Sequence, residues 1–302
     1  MLKQIADMPV ARYFLVWFVA LVLAGCSDHP SSSKLPLNNS ESVSMSEPMV
    51  IKLGETGPAF AKRNAGKITV THQPAGVDFY SARWGSQPHG IVKIDLGGHS
   101  LTLSHVLSVQ AGQELGQFAD EGLYEFTINA GITEPELMTH DEARLETYKL
   151  LAMILKAGWK PFIERSEPRL SGKARYDYTL NTVSVNGLDP AYLPTMDEWM
   201  RIESRTPWTF YAPGAYLEVS FTRERSLMDA SRPGAYMLTF NVKTEAESLR
   251  GYVDSEERAH WRNLLPKLLP KLALARQQKE AELRSRGISI DETYRDPTLT
   301  LE

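Results

Sequence analysis

The residue with the plainest chemistry is Cys26, the only cysteine in 302 residues. It closes the run Leu23-Ala24-Gly25-Cys26. Small residues at 24 and 25 let an extended backbone enter a peptidase cleft, and the thiol is the nucleophile that accepts a diacylglyceryl group. Cleavage is expected between Gly25 and Cys26. Lys3 and Arg12 frame a short n-region, and an apolar run of about eleven residues goes from Tyr13 to Leu23. A bilayer-spanning helix needs roughly 20, so residues 1–25 read as a secretory signal peptide and leave the fold reasoning. Each buried methylene contributes about 0.8 kcal/mol and one acyl chain holds only marginally. A multiply acylated Cys26 is therefore expected to anchor the mature chain on a membrane. A single thiol also excludes an intrachain disulfide and a cysteine-ligated metal.

Catalysis needs a constellation, and the sequence offers no recognised one. It lacks a G-x-S-x-G elbow, an H-E-x-x-H pair, a Walker loop and a dinucleotide fingerprint. Its seven histidines are scattered. His99 and His105 would share a face if one strand ran through both, but turn or surface histidines are the plainer reading. Gly97-Gly-His-Ser100 has the form of an oxyanion loop, yet two glycines between strands signal a turn first. Ser31-x-x-Lys34 matches a penicillin-binding motif inside a segment that reads as a linker. The expectation is a protein without catalytic residues, cofactor or metal. The net charge of −4 becomes −5 when Lys3, Asp7 and Arg12 are removed, which gives no support for a nucleic-acid partner.

The elements that would position any site fall into four segments. The signal peptide (1–25) precedes a lipidated, Ser-, Asn- and Pro-rich stretch (26–48) that reads as a flexible tether. A β-rich region (49–134) follows, with alternation at Ile68–Val70, Ile91–Leu96, Leu101–Leu103 and Tyr124–Ile128, separated by turn residues. The region 135–302 mixes helices and strands and is expected as an α+β domain of its own, after a β-rich domain over 49–134, with the boundary at the composition change near 134–135. Thr139-x-x-Glu142 and Thr195-x-x-Glu198 are capping boxes, and Gly158 stands where a helix stops. Pro213-Gly-Ala-Tyr and Pro233-Gly-Ala-Tyr each open an alternating run, and the two runs are expected to pair antiparallel across Arg225–Arg232. A helical run from Asp254 is expected to break at Pro266 and Pro270 and resume as a solvent-facing helix, Ala273 to Arg286. The fold class is α+β, with helices packed on antiparallel sheet. Aromatic residues crowd positions 199–216: Trp199, Trp208, Phe210, Tyr211 and Tyr216. Most read as core, and the remainder as anchors of a protein contact.

Several phrases carry a resemblance: Asp189-Pro-Ala-Tyr-Leu-Pro-Thr-Met-Asp-Glu-Trp-Met200, Thr206-Pro-Trp-Thr-Phe-Tyr211 and Val219-Ser-Phe-Thr-Arg-Glu-Arg225. Gly251-Tyr, Trp261-Arg-Asn-Leu-Leu-Pro266 and Gly158-Trp-Lys ahead of Glu167-Pro-Arg-Leu170 belong with them. Over about residues 140–295 the chain resembles lipoproteins encoded beside type VI secretion phospholipase toxins. The resemblance implies an immunity protein that binds and neutralises a cognate secreted phospholipase from the periplasmic face of a membrane. It places partner contacts near Trp208, Tyr211, Arg223 and Arg225. Ser27 rather than aspartate follows the anchor cysteine, which favours the outer membrane, although Asp28 comes next. The other expectation is an envelope lipoprotein that binds a ligand or supports an assembly without catalysis.

Overall fold

The computed structural model describes residues 47–85, 88–182 and 186–300. The segments expected as signal peptide and tether, with Cys26, lie outside them up to residue 46. A short strand β1 (Met49–Ile51) leads to helix α1 (Gly57–Arg63), which starts where the Thr56 hydroxyl accepts the Ala59 amide. β2 (Thr69–Gln73) and β3 (Val77–Arg83) make a hairpin around Gly76, whose φ of +79° suits a residue without Cβ. β4 (Gly90–Ile94), β5 (Leu101–Glu114) and β6 (Glu125–Gly131) contain three of the alternating runs seen in the sequence. The bridge strand β7 (Leu137–Met138) precedes α2 (His140–Lys156), where the Thr139–Glu142 capping box is formed in both directions. Gly158 follows at φ +90°.

β8 (Lys160–Pro161) and α3 (Gly172–Asn181) lead to α4 (Met196–Arg201), which carries the second complete capping box. β9 (Trp208–Ala212), β10 (Ala215–Arg223) and β11 (Gly234–Thr244) form an antiparallel set. The expected pairing across Arg225–Arg232 is present, with Val219 opposite Phe240. α5 (Glu245–Arg250) and α6 (Trp261–Ser285) follow.

The strands join in the order β1-β4-β5-β6-β11-β10-β9-β8, with β3 also on β5 and β2 on β3. Antiparallel pairing dominates, and β1 on β4 is parallel. The sheet runs straight through the expected domain boundary at 134–135, because β6 pairs with β11 over Glu125–Gly131 and Met237–Lys243. Residues from Glu47 onward form one compact unit. One sheet face is apolar: Val109, Phe126, Ile128, Phe240, Val219 and Phe221 are all buried there in one cluster with Phe60 of α1 and Leu151 and Ile154 of α2. The other face carries hydroxyl and amide side chains that bond across strands, Thr127 to Asn241 and Thr239 to Asn129, both at 2.9 Å. That polar-out alternation is the usual solution for an antiparallel sheet.

The C-terminal helix differs from expectation in two ways. α6 runs unbroken through Pro266 and Pro270. Both prolines are exposed, so the carbonyls they leave without a donor can face water. The charged part is also not free in solvent. Arg276 and Glu280 are buried, and Arg276 bonds Asp296 at 2.7 and 3.1 Å while Glu280 accepts two bonds from the Arg169 guanidinium, at 2.8 and 2.7 Å, and one from the Arg169 amide at 3.1 Å. These pairs fasten α6 to the 162–170 segment and to the chain's last residues.

Candidate functional site

The four expected contact residues do not converge on one surface. Trp208 has no exposed area and Arg223 has 4 %. Both belong to a buried cluster on the apolar face. Trp208 stacks on Trp199 with centroids 6.5 Å apart and meets Tyr148 edge-on at 5.9 Å. The Arg223 guanidinium lies 5.2–5.7 Å from the ring centres of Trp199, Phe221 and Tyr236. It donates to the Trp199 carbonyl at 2.9 Å and the Met200 carbonyl at 3.1 Å. Strand parity explains both placements: Trp208 shares a face with Phe210, and Arg223 shares one with Leu217, Val219 and Phe221. They cannot be surface anchors in this fold.

His140 completes that cluster. Its Nδ1 and the Tyr236 hydroxyl are 2.5 Å apart, its Nε2 lies 3.2 Å from the Asp229 carbonyl, and Trp199 Nε1 donates to the same hydroxyl at 3.2 Å. The network assigns the proton to Nε2, with the phenol donating to Nδ1. Burial first, and then the Arg223 charge, holds the imidazole pKa below its ordinary value.

Arg225 is exposed on the 3-10 turn Arg225–Leu227 beyond β10. Tyr211 is half-buried at the other end of the β9–β10 pair, where it faces Tyr216. Seven residues of strand separate Tyr216 from Arg223, about 23 Å at strand rise. One small contact cannot include both ends.

Tyr211 lines a cavity of about 340 Å³ where several separate stretches of chain meet. The β9–β10 turn supplies Pro213 and Gly214, β8 supplies Lys160, and α5 supplies Glu245. Pro297, Thr298 and Thr300 form a wall. That wall is pinned: Arg165 donates to the Pro297 carbonyl at 2.9 Å, and the Thr300 amide donates to Glu245 Oε1 at 3.1 Å. His99 lies across Gly158, where a Cβ would come within 3.0 Å of the imidazole. Trp159 Nε1 holds the His99 carbonyl at 2.8 Å. The Tyr216 ring lines the cavity while its hydroxyl is enclosed. Burial pushes that phenol up to about 12, so it stays neutral. Among the described residues Lys160 has neither an ion pair nor a side-chain hydrogen bond.

The strand that would have aligned His99 with His105 does not exist. Residues 97–99 form a 3-10 turn before β5. His105 sits at the β-bulge of the β4–β5 pair with φ +56° and lines a second cavity of about 280 Å³ beside α2. Its ring meets His89 edge-on at 6.1 Å, and burial followed by that neighbour lowers its pKa. No group of three or more metal-binding side chains occurs among the described residues, and no helix there is long and apolar enough to cross a membrane.

Sequence reasoning missed Lys160, Glu245 and the 297–300 wall. The cavity is assembled from positions up to about 200 residues apart, and no local pattern announces it. No family model, no curated protein and no solved structure matches the chain.

Proposed function

We propose that this chain is a lipoprotein, acylated on Cys26 and carried on the periplasmic face of the outer membrane, whose body binds and neutralises a type VI secreted phospholipase. The observation that carries the proposal is the lipobox cysteine, unique in the chain, followed after about twenty residues by a single folded unit beginning at Glu47. Such an arrangement keeps a binding body close to the membrane where a phospholipase acts, at high effective concentration. The phrases behind the resemblance support it in part as scaffold, since Trp199, Trp208, Phe221 and Arg223 form the aromatic core. Of the four expected contact residues, Tyr211 at the cavity and Arg225 on its turn are accessible. The test is titration of a form starting at Ser27 into the purified phospholipase encoded beside this gene. Stoichiometric loss of phospholipid hydrolysis is expected, and undiminished hydrolysis at excess protein would reject the proposal. Separately, Cys26→Ser is expected to move the protein from the membrane pellet to the soluble fraction. A variant that stays in the pellet contradicts acylation as the anchor.

One observation favours a second reading, an envelope lipoprotein that binds a small ligand. The cavity of about 340 Å³ lies within the size range of small-molecule sites.

A further inference from the structure

We infer that the cavity beside Tyr211 binds a small zwitterion, an ammonium and an oxyanion joined by a short linker. This inference does not depend on the phospholipase reading.

The walls carry charges of both signs. Lys160 contributes an ammonium that no described carboxylate neutralises, and it stands on the edge strand at the cavity. His99 adds a second potential donor, its ring held over Gly158. Together they suit an oxyanion, because charge-assisted bonds to carboxylate or phosphate oxygens are the strong ones. Glu245 lies on a different stretch of the wall. One of its oxygens already accepts the Thr300 amide, which fixes the carboxylate and leaves the second oxygen for a ligand. The rings of Tyr211 and Tyr216, 6.5 Å apart and inclined at 36°, line the same cavity. Aromatic faces attract an ammonium, and more so where water is partly excluded. In register Lys160 is opposite Tyr211 and Tyr211 opposite Tyr216, beyond which Lys243 is already paired with Glu125, while the Glu245 amide donates to the Gly214 carbonyl in the β9–β10 turn at 3.0 Å. A cation, two rings and a carboxylate thus line one cavity from neighbouring segments. A simple anion would meet Glu245, and a simple cation would meet Lys160. A ligand carrying both charges satisfies both.

A zwitterion of this kind can arrive as a free molecule or as the head group of a phospholipid. The test uses the protein from Ser27 onward and O-phosphoethanolamine as probe, followed by calorimetry and by amide shifts of Gly158 and Gly214. Saturable binding is expected, with ethanolamine alone and inorganic phosphate alone each weaker by about tenfold or more. Lys160→Met and Glu245→Gln should each weaken the probe by about tenfold while leaving the melting temperature unchanged. Glutamine can still accept the Thr300 amide, so the wall stays in place. Sedimentation with vesicles of phosphatidylethanolamine and phosphatidylglycerol, against phosphatidylglycerol alone, separates the two sources. Ethanolamine-dependent sedimentation that free probe reverses assigns the lipid head group, and probe binding without sedimentation assigns a free molecule. No saturable probe binding, phosphate binding as tightly as the probe, or binding indifferent to both substitutions would overturn the inference.

Discussion

The two ends of the β9–β10–β11 sheet use the same ingredients to opposite effect. At one end Arg223 is buried against three aromatic rings, with its guanidinium held by backbone carbonyls. At the other, Lys160 is exposed beside two tyrosine rings with no partner among the described residues. A cation next to aromatic side chains is therefore not a functional signature in itself. What differs is parity and capping: Arg223 points to the face that α4 covers, whereas Lys160 lies on the last strand of the sheet.

That contrast can be broken most severely at Trp208. Trp208→Ala should cost about 3–5 kcal/mol, the range for emptying a buried aromatic site. It should appear as a large drop in the urea midpoint, and a midpoint near wild type would return Trp208 to the surface. Arg223→Met should cost less, about 2 kcal/mol, because it strands the Met200 carbonyl, while the Trp199 carbonyl keeps the Ile202 amide and most of the packing volume is retained. Chemical denaturation measures it, and a neutral result would mean that the guanidinium bonds contribute nothing.

A pH series sharpens the comparison further. The folded state holds His140 below its ordinary pKa, so the unfolded chain takes up a proton first as pH falls. Stability that His140 contributes is complete above about pH 6.5 and is lost on acidification through the folded value. Urea midpoints at pH 7.5 and 5.5 should therefore diverge, and His140→Gln should narrow the gap. An equal gap in wild type and variant would remove His140 as a cause. The smallest effect belongs to Tyr211→Ala at the cavity end. Its stability change should stay within about 1 kcal/mol, since the side chain is only half-buried. A loss as large as that at Trp208 would erase the distinction between the two ends.

Much of the fold was legible because its signals are local. The capping boxes at Thr139 and Thr195 and the alternation around Val219 and Phe240 depend on residues a few positions apart, and each forms as expected. The misassignment of Trp208 and Arg223 had a remedy in the same sequence. In Trp208-Thr-Phe-Tyr-Ala212 alternation separates Trp208 and Phe210 from Tyr211, and Arg223 continues the apolar parity of Leu217, Val219 and Phe221. Residue type suggested an interface where parity already indicated core. The continuous α6 was less accessible, since prolines are tolerated there only because both face solvent. The burial of Arg276 and Glu280 depended on partners at Asp296 and Arg169, which no helical periodicity reveals. The cavity was illegible for the same reason, its Lys160, Glu245 and Thr300 being brought together only by the finished sheet.

The pairing of β6 with β11 has a kinetic consequence. Residues 125–131 find their neighbour only when residues 237–243 are available, more than a hundred positions later. Closing so long a loop costs entropy before the contacts compensate it, which slows folding. As the chain emerges from its N-terminus, the first half must wait with one edge of β6 unpaired. Such an edge is a template for pairing with another chain. Until residues 237–243 arrive to pair, that open edge leaves the first half exposed to aggregation.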